Sequence, residues 1–423
     1  MTDGPAPSGQ DGAQRRALAV LTAGQILGGL GVGVSVSTGS LAALQITGSQ
    51  TWSGLGTTFV TVGAAIAAIP LARLASRRGR RPSLATGMLI AAAGALVSFL
   101  AMVLPSFPVL LLGQAMLGVG QAVNLQSRFA ATDLSTAASR GRDLSLVVWS
   151  TTIGAVAGPN LVEPGQALGS AFGLPALAGV FLFPLLTQLL AAGAYLLLLR
   201  PDPLLLARER AQQSARALAH SGRTAAGAEV QRPARAAVWR AAILTIALSH
   251  VAMVLLMTMT PVHFTGDGVS LAVIGLTLSL HVAGMYALSP LFGVLVDRLG
   301  PLPVIVLGQL LLAGAGLLAA LAGGANLFGI GALVLLGLGW SAGTVAGSAL
   351  LVSAAPPERR IALQGRSDLA MNVCGALAGA VAGPILSGFG YAGLGLVLVL
   401  PAAVVVAVAL VWGRPGAART ASA

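Results

Sequence analysis

The sequence predicts an all-α polytopic membrane protein of twelve transmembrane helices, arranged as two six-helix halves that repeat one another. Three observations lead there. Only 9% of the 423 residues are charged and 56% are hydrophobic, with a mean hydropathy of +0.88; soluble domains carry about 25% charged residues. Apolar stretches of about 20 residues, long enough to cross a hydrocarbon core about 30 Å thick as helices, recur along the chain. Motifs of the first half return in the second at a constant offset.

The apolar spans run over 17–44, 52–74, 83–104, 109–132, 144–164 and 176–199, then 238–264, 271–296, 304–322, 328–353, 367–388 and 391–412. Lipid offers the backbone no hydrogen-bond partner, so each must be a helix. All are too long for the strands of a membrane barrel. Gly154-Ala155-Val156-Ala157-Gly158-Pro159 recurs as Gly379-Ala380-Val381-Ala382-Gly383-Pro384, and Asp143-Leu144 as Asp368-Leu369, each 225 residues on. The chain divides into a disordered tail (1–16), an N-terminal half (17–199), a linker (200–237), a C-terminal half (238–412) and a second tail (413–423). The linker is rich in Arg, Gln, Ala and Ser, and a short surface helix is expected near 203–219.

All 24 basic residues are arginine, and the net charge is +12. Their placement answers to topology rather than to nucleic acid. One side carries Arg73, Arg77, Arg78, Arg80 and Arg81, then Arg140 and Arg142, Arg298, Arg359, Arg360 and Arg366, with eight more over 200–240. The opposite loops, near 45–51, 105–108, 165–175, 265–270, 323–327 and 388–391, carry none. Positive charge stays inside, so both termini are expected in the cytoplasm. The first span itself targets the chain, with no cleavable signal. The single cysteine, Cys374, excludes an intramolecular disulfide. No nucleophile–base pair and no phosphate loop is visible, so neither an enzyme nor a cofactor is expected. The absence of lysine, with abundant Ala, Gly and Arg, suggests a GC-rich bacterial genome and hence the inner membrane, with the chain as a monomer.

Chemistry concentrates in the seventh and eighth spans. Met253 and Met257 form M-x-x-x-M, and His281 and Met285 form H-x-x-x-M. The i, i+4 spacing puts each pair on one helix face. Met253 lies 11 residues from the outer end of its span and His281 lies 10 from its own, so both sit about 15 Å deep, near the midplane. His250 and Met285 share a level, and His250, Met253 and Met257 share a face; His263 lies closer to the outside. Thioether and imidazole donors suit a soft ion, Cu(I) above all. Methionine also packs apolar cores, whereas an ionisable group inside a membrane usually faces a pathway. Gln25, Asn124, Gln126, Asn160, Trp340 and Asn372 are further polar side chains within spans, and interhelical hydrogen bonding would account for them. Met371 and Cys374 stand i, i+3 on the eleventh span, where they could serve as secondary soft donors, though packing accounts for them more readily. Glu163 and Asp267 are the acids expected near the outer face.

Six spans, a long cytoplasmic loop and six more resemble the major facilitator superfamily over the whole chain. Gly293-Val294-Leu295-Val296-Asp297-Arg298-Leu299-Gly300 matches its G-x-L-x-D-R-x-G loop, whereas the first-half loop reads Ser76-Arg77-Arg78-Gly79-Arg80-Arg81, with serine in place of the aspartate. The resemblance implies a gating role for Asp297, Arg298, Arg77, Arg80, Asp143 and Asp368, with Asp143 or Asp133 supplying the missing carboxylate; topology and solvation are the plainer account of the same charges. The fourth span has Gln114 before Gly118 where drug–proton antiporters have arginine. The G-x-x-x-G-P of the fifth span resembles the antiporter motif, but close packing also explains it. Superfamily cavities are usually lined by spans one, four, seven and ten, which would let Gln25 and Asn124 face the pathway.

Met253, Met257, His281 and Met285 match in type, span and order the motifs of the CcoA-like copper importers, a bacterial branch of that superfamily. The resemblance implies import of copper through these residues by alternating access, with His250 and His263 as possible additional contacts. Two alternatives stand beside it: a proton-coupled efflux transporter of drugs or small metabolites, and a non-transporting receptor or assembly factor.

Overall fold

A computed structural model describes residues 9–48, 52, 55–220, 236–322 and 326–413, and these are almost entirely helical. Residues 1–8, 221–235 and 414–423, which belong to the expected tails and linker, lie outside the described residues.

The helices are α1 (Gly9–Thr47), α2 (Leu55–Arg78), α3 (Arg80–Val103), α4 (Phe107–Ala130), α5 (Arg140–Asn160), α6 (Val162–Ala171), α7 (Ala176–Val180), α8 (Leu182–Leu198), α9 (Pro203–His220), α10 (Ala236–Gly266), α11 (Leu271–Tyr286), α12 (Ser289–Leu299), α13 (Pro301–Ala320), α14 (Asn326–Ala354) and α15 (Arg360–Gly413). Among the described residues, nine stretches are long and apolar enough to cross a membrane, the last taking in spans eleven and twelve. The first and fifth spans lie in α1 and α5.

Several details differ from the sequence reading, each for a local reason. α1 begins at Gly9, inside the segment expected as a disordered tail. The segment after the fifth span, expected as an outer loop, forms α6. The eighth span is two helices rather than one. Pro290 cannot donate to the carbonyl of Tyr286, so α11 ends there and α12 restarts at Ser289, whose Oγ donates to the Tyr286 carbonyl at 2.7 Å. The last two spans follow without a non-helical segment except at Gly390, whose φ of 68° makes the turn that a residue with a side chain rarely adopts.

Two compact units form. The first takes residues 1–137, 153–236 and 354–365; the second takes 138–152, 237–353 and 366–423. In the first, α2, α3 and α4 approach to backbone distance: a methyl on Gly63 would collide with Ala115, and one on Gly118 with Val60. Without a hydrophobic drive between helices in lipid, such close approach is what holds them. The second unit has an aliphatic core that includes Leu256, Leu312, Leu333, Leu336, Leu394 and Leu398. Leu190, Leu197, Leu310, Leu317, Leu396 and Leu400 point outward and are exposed, as a lipid-facing surface requires.

Candidate functional site

Met253 on α10 and Met285 in the last turn of α11 meet in one buried cluster whose third member is Trp340 of α14. Met257, Val254 and Tyr286 pack against its margin. Thioethers against an aromatic ring are a favourable contact of about 0.3–1.5 kcal/mol. Tyr286 meets the indole edge-on, with ring centroids 5.7 Å apart at 79°. The indole Nε1–H donates to His250 Nδ1 at 3.1 Å. His250 and Tyr286 are half-buried and form the more open side of the group.

His281, fully buried, takes a different partner. Its Nδ1 lies 2.8 Å from the carbonyl oxygen of Leu333 on α14, and its Nε2 has no hydrogen-bond partner among the described residues. Glycines bring the helices close enough for this: an added methyl on Gly337 would strike the His281 carbonyl. A carbonyl acceptor means that Nδ1 carries the proton, which leaves Nε2 as a bare lone pair. Among the described residues no group of three or more His, Cys, Asp and Glu side chains is placed to hold a metal.

The other candidates lie apart from the Met–Trp cluster. His263 sits near the C-terminal end of α10, stacked on Tyr391 at 4.1 Å and paired with Asp267 at 3.4 Å. Met371 is buried and Cys374 half-buried on α15; their neighbour Gly375 is pressed against the His250 ring. Gln25 and Asn124 are buried in the first unit, Asn124 against Gly28. Sequence reasoning noted Trp340 only as one polar residue among several and missed Tyr286. One signal was available for His250: it stands 225 residues after Gln25, the offset of the fifth- and eleventh-span motifs.

The charged residues of the expected cytoplasmic side divide by role. Arg80 is almost wholly buried; its Nε and Nη2 donate to Asp133 at 2.8 and 3.2 Å, and Nη2 also donates to Gln364 Oε1 at 2.8 Å. Asp133 is therefore the carboxylate at this turn. Asp297 accepts the backbone N–H groups of Gly141 and Arg142 at 2.6 and 2.9 Å, capping the start of α5. Asp143 is buried and accepts from Ser139 Oγ at 3.0 Å, and Asp368 is buried on α15. Arg77 and Arg298 are exposed. The first-half serine, Ser76, returns its Oγ–H to the Arg73 carbonyl. Asp202, which the sequence did not single out, accepts from the backbone of Arg81 at 2.7 Å and of Leu204 at 3.0 Å, fastening the start of the linker to the α2–α3 turn.

The G-x-x-x-G-P repeat behaves differently in its two copies. Gly154 and Gly158 lie against Gly29 and Gly33 of α1, where a methyl on Gly158 would come within 2.8 Å of Gly33 Cα. In the second copy, a methyl on Gly379 would make an ordinary 3.6 Å contact with Val254, and one on Gly383 would meet nothing within 4 Å.

The model of the Major Facilitator Superfamily matches residues 21–271 and 242–423. The uncharacterised MFS-type transporter YdeG of Bacillus subtilis (strain 168) is 35% identical over 411 residues, covering 96% of this chain and 94% of its own. The riboflavin transporter RfnT of Brucella anthropi is 28% identical over 389 residues, covering 90% and 91%. Among solved structures, the human organic anion transporter MFSD10 aligns over 94% of this chain and 99% of its own, with a TM-score of 0.72 and 17% identity. A bacterial homologue of the iron transporter ferroportin, in an outward-facing state, aligns over the same shares with a TM-score of 0.69 and 18% identity. At such identity these two structures speak for the fold alone. With the helical architecture, the repeated motifs and a family match spanning both halves, the chain belongs to the major facilitator superfamily, a family of multi-pass membrane transporters rather than enzymes.

Proposed function

We propose that the protein is a secondary transporter of a small organic solute carrying a planar aromatic ring system, bound at the Trp340 cluster of the second unit. The observation that carries this reading is the setting of Trp340. Its indole is backed by Met253 and Met285, met edge-on by Tyr286 and fixed by its N–H to His250. A rigid aromatic surface with one oriented polar partner suits stacking and hydrogen bonding of a heteroaromatic ring. The likeness to RfnT supports the same class, since riboflavin is such a molecule. The arginine distribution supports the bacterial cytoplasmic membrane with both termini inside.

Copper import through Met253, Met257, His281 and Met285 is the second reading, and one observation favours it. His281 presents a bare, buried Nε2 while its Nδ1–H is held by a carbonyl, the arrangement that orients metal-binding imidazoles. Parallel flux measurements on reconstituted protein, with radiolabelled riboflavin and with Cu(I), separate the two. The organic-solute reading expects saturable riboflavin flux that Trp340→Ala abolishes and Met253→Leu preserves. It is overturned by copper accumulation that Met253→Leu and His281→Phe each abolish, in the absence of riboflavin flux.

A further inference from the structure

The Trp340–His250 bond exists in only one protonation state of the histidine. An indole Nε1–H is a donor and never an acceptor. His250 Nδ1, 3.1 Å away, must therefore offer a lone pair, which places the hydrogen of the neutral ring on Nε2. A second proton has one place to go, Nδ1. Two N–H groups then face each other along the line that had been a hydrogen bond, and the contact turns repulsive.

The surroundings show what loss of the bond disturbs. On the far side of the imidazole stands Gly375 of α15, where even a methyl group would lie 2.6 Å from His250 Cδ2 and 2.8 Å from Nε2. The ring is backed by that helix. The indole is itself buried against the two methionines and Tyr286, so losing the bond unsettles their packing as well.

We propose that His250 is a proton-binding site that sets the position of Trp340, so that protonation dismantles the aromatic surface on which the solute rests. The proposal rests on the organic-solute reading, in which Met253 and Met285 are packing partners of the indole. From α14 the imidazole is faced by Trp340, which does not titrate, and from α15 by Gly375, beside which Cys374 is the titratable neighbour. Tyr286 of α11 lies beyond the indole, and Asp368, the acid of α15, stands seven residues before Gly375. Linkage is reciprocal: whatever factor protonation takes from the solute's affinity, bound solute takes from the proton's. Protons and solute would thus compete for the second unit, which suits exchange of one for the other across the membrane.

The test needs no solute. The purified full chain in detergent is titrated between pH 8 and 5, the range in which histidine ordinarily changes charge, and tryptophan emission is recorded for the wild type and for Trp340→Phe. The difference, which is the Trp340 signal, should show a single transition, with emission lost or shifted to the red as pH falls. His250→Gln keeps an acceptor for the indole but cannot titrate, so its Trp340 signal should stay at the high-pH value throughout. His250→Asn serves as the second variant should glutamine disturb folding, judged by gel filtration. A Trp340 transition that persists in either folded variant overturns the proposal, as does a wild type whose Trp340 signal does not change across the range. Failure of riboflavin flux would instead strike the solute assignment and leave this titration standing, so the two failures are distinguishable.

Discussion

Asp133→Asn tests whether the buried charge at the α2–α3 turn is held by one partner. Arg80 and Asp133 are 1% and 5% exposed, and two donor–acceptor contacts of 2.8 and 3.2 Å join them. Removing one member of a buried pair costs about 3–5 kcal/mol, because the other charge is left uncompensated. Two features place this variant near the lower end. Asparagine keeps one acceptor oxygen, and Gln364 Oε1 still accepts from Arg80 at 2.8 Å. A loss of about 3 kcal/mol carried by the unfolding rate shortens the lifetime roughly 150-fold, at about 1.36 kcal/mol per factor of ten. The assay is the decay of the monodisperse gel-filtration peak of detergent-solubilised protein at fixed temperature. The double variant Arg80→Met, Asp133→Leu removes the pair and should recover part of the lifetime, since apolar replacement of a whole buried pair is often neutral, while Arg360 still loses Asp133 as a nearby counter-charge. A lifetime for Asp133→Asn within twofold of wild type would refute the reasoning. So would a double variant as short-lived as the single one, because the cost would then lie in packing rather than in an unmatched charge.

Three further outcomes follow from the same geometry. Met253→Leu and Met285→Leu conserve bulk around Trp340 and should each cost under about 1.5 kcal/mol; a lifetime loss beyond tenfold would show that more than packing had been removed. Gly158→Leu should force α1 from α5 at a cost of about 1–3 kcal/mol, whereas Gly383→Leu, with open space around it, should leave expression and gel-filtration behaviour unchanged; equal damage from both would contradict the asymmetry. Asp297→Ala removes the acceptor at the start of α5 and should cost about 0.5–2 kcal/mol, seen as faster amide hydrogen exchange at Gly141 and Arg142, with Asp297→Asn recovering part of it.

Much of the architecture was legible because lipid imposes a single rule on the backbone, and hydropathy reports it directly. Interruptions of the spans were less legible. Pro290 marks a break inside an apolar run, but a proline can also bend a membrane helix without ending it, as Pro261 within α10 and Pro384 within α15 do not interrupt theirs. Depth along the spans paired Met253 with His281 and His250 with Met285, whereas the structure brings Met253 and Met285 together at Trp340. Spacing could not tell that His281 would turn to the Leu333 carbonyl, because that depends on how close α11 comes to α14, which Gly337 controls from another span. Nor could it tell that His250, rather than His281, would bond the tryptophan. Pairings across helices depend on rotation about each helix axis, and a single sequence encodes that only through which face carries small residues.

The repeat sharpens what those faces do. Gly29 and Val254 are equivalent positions, as are Gly154 and Gly379. In the first half both members are glycine, the backbones touch, and a side chain on Gly154 would separate the helices. In the second half valine stands against glycine, and a methyl on Gly379 would make an ordinary 3.6 Å contact with it. That difference coincides with where the reactive side chains are. Three of the four histidines, and Met253, Met257, Met259, Met285 and Met371 among the nine methionines, belong to the second half. The pair Gln25 and His250 carries the point to chemistry. The two stand 225 residues apart and both can accept a hydrogen bond, yet only histidine has an ordinary side-chain charge change within the physiological range. A proton-linked site at this position is therefore confined to one half, and exchanging the two residues, Gln25→His with His250→Gln, should not restore the Trp340 transition, because the indole that reports it is bonded to position 250.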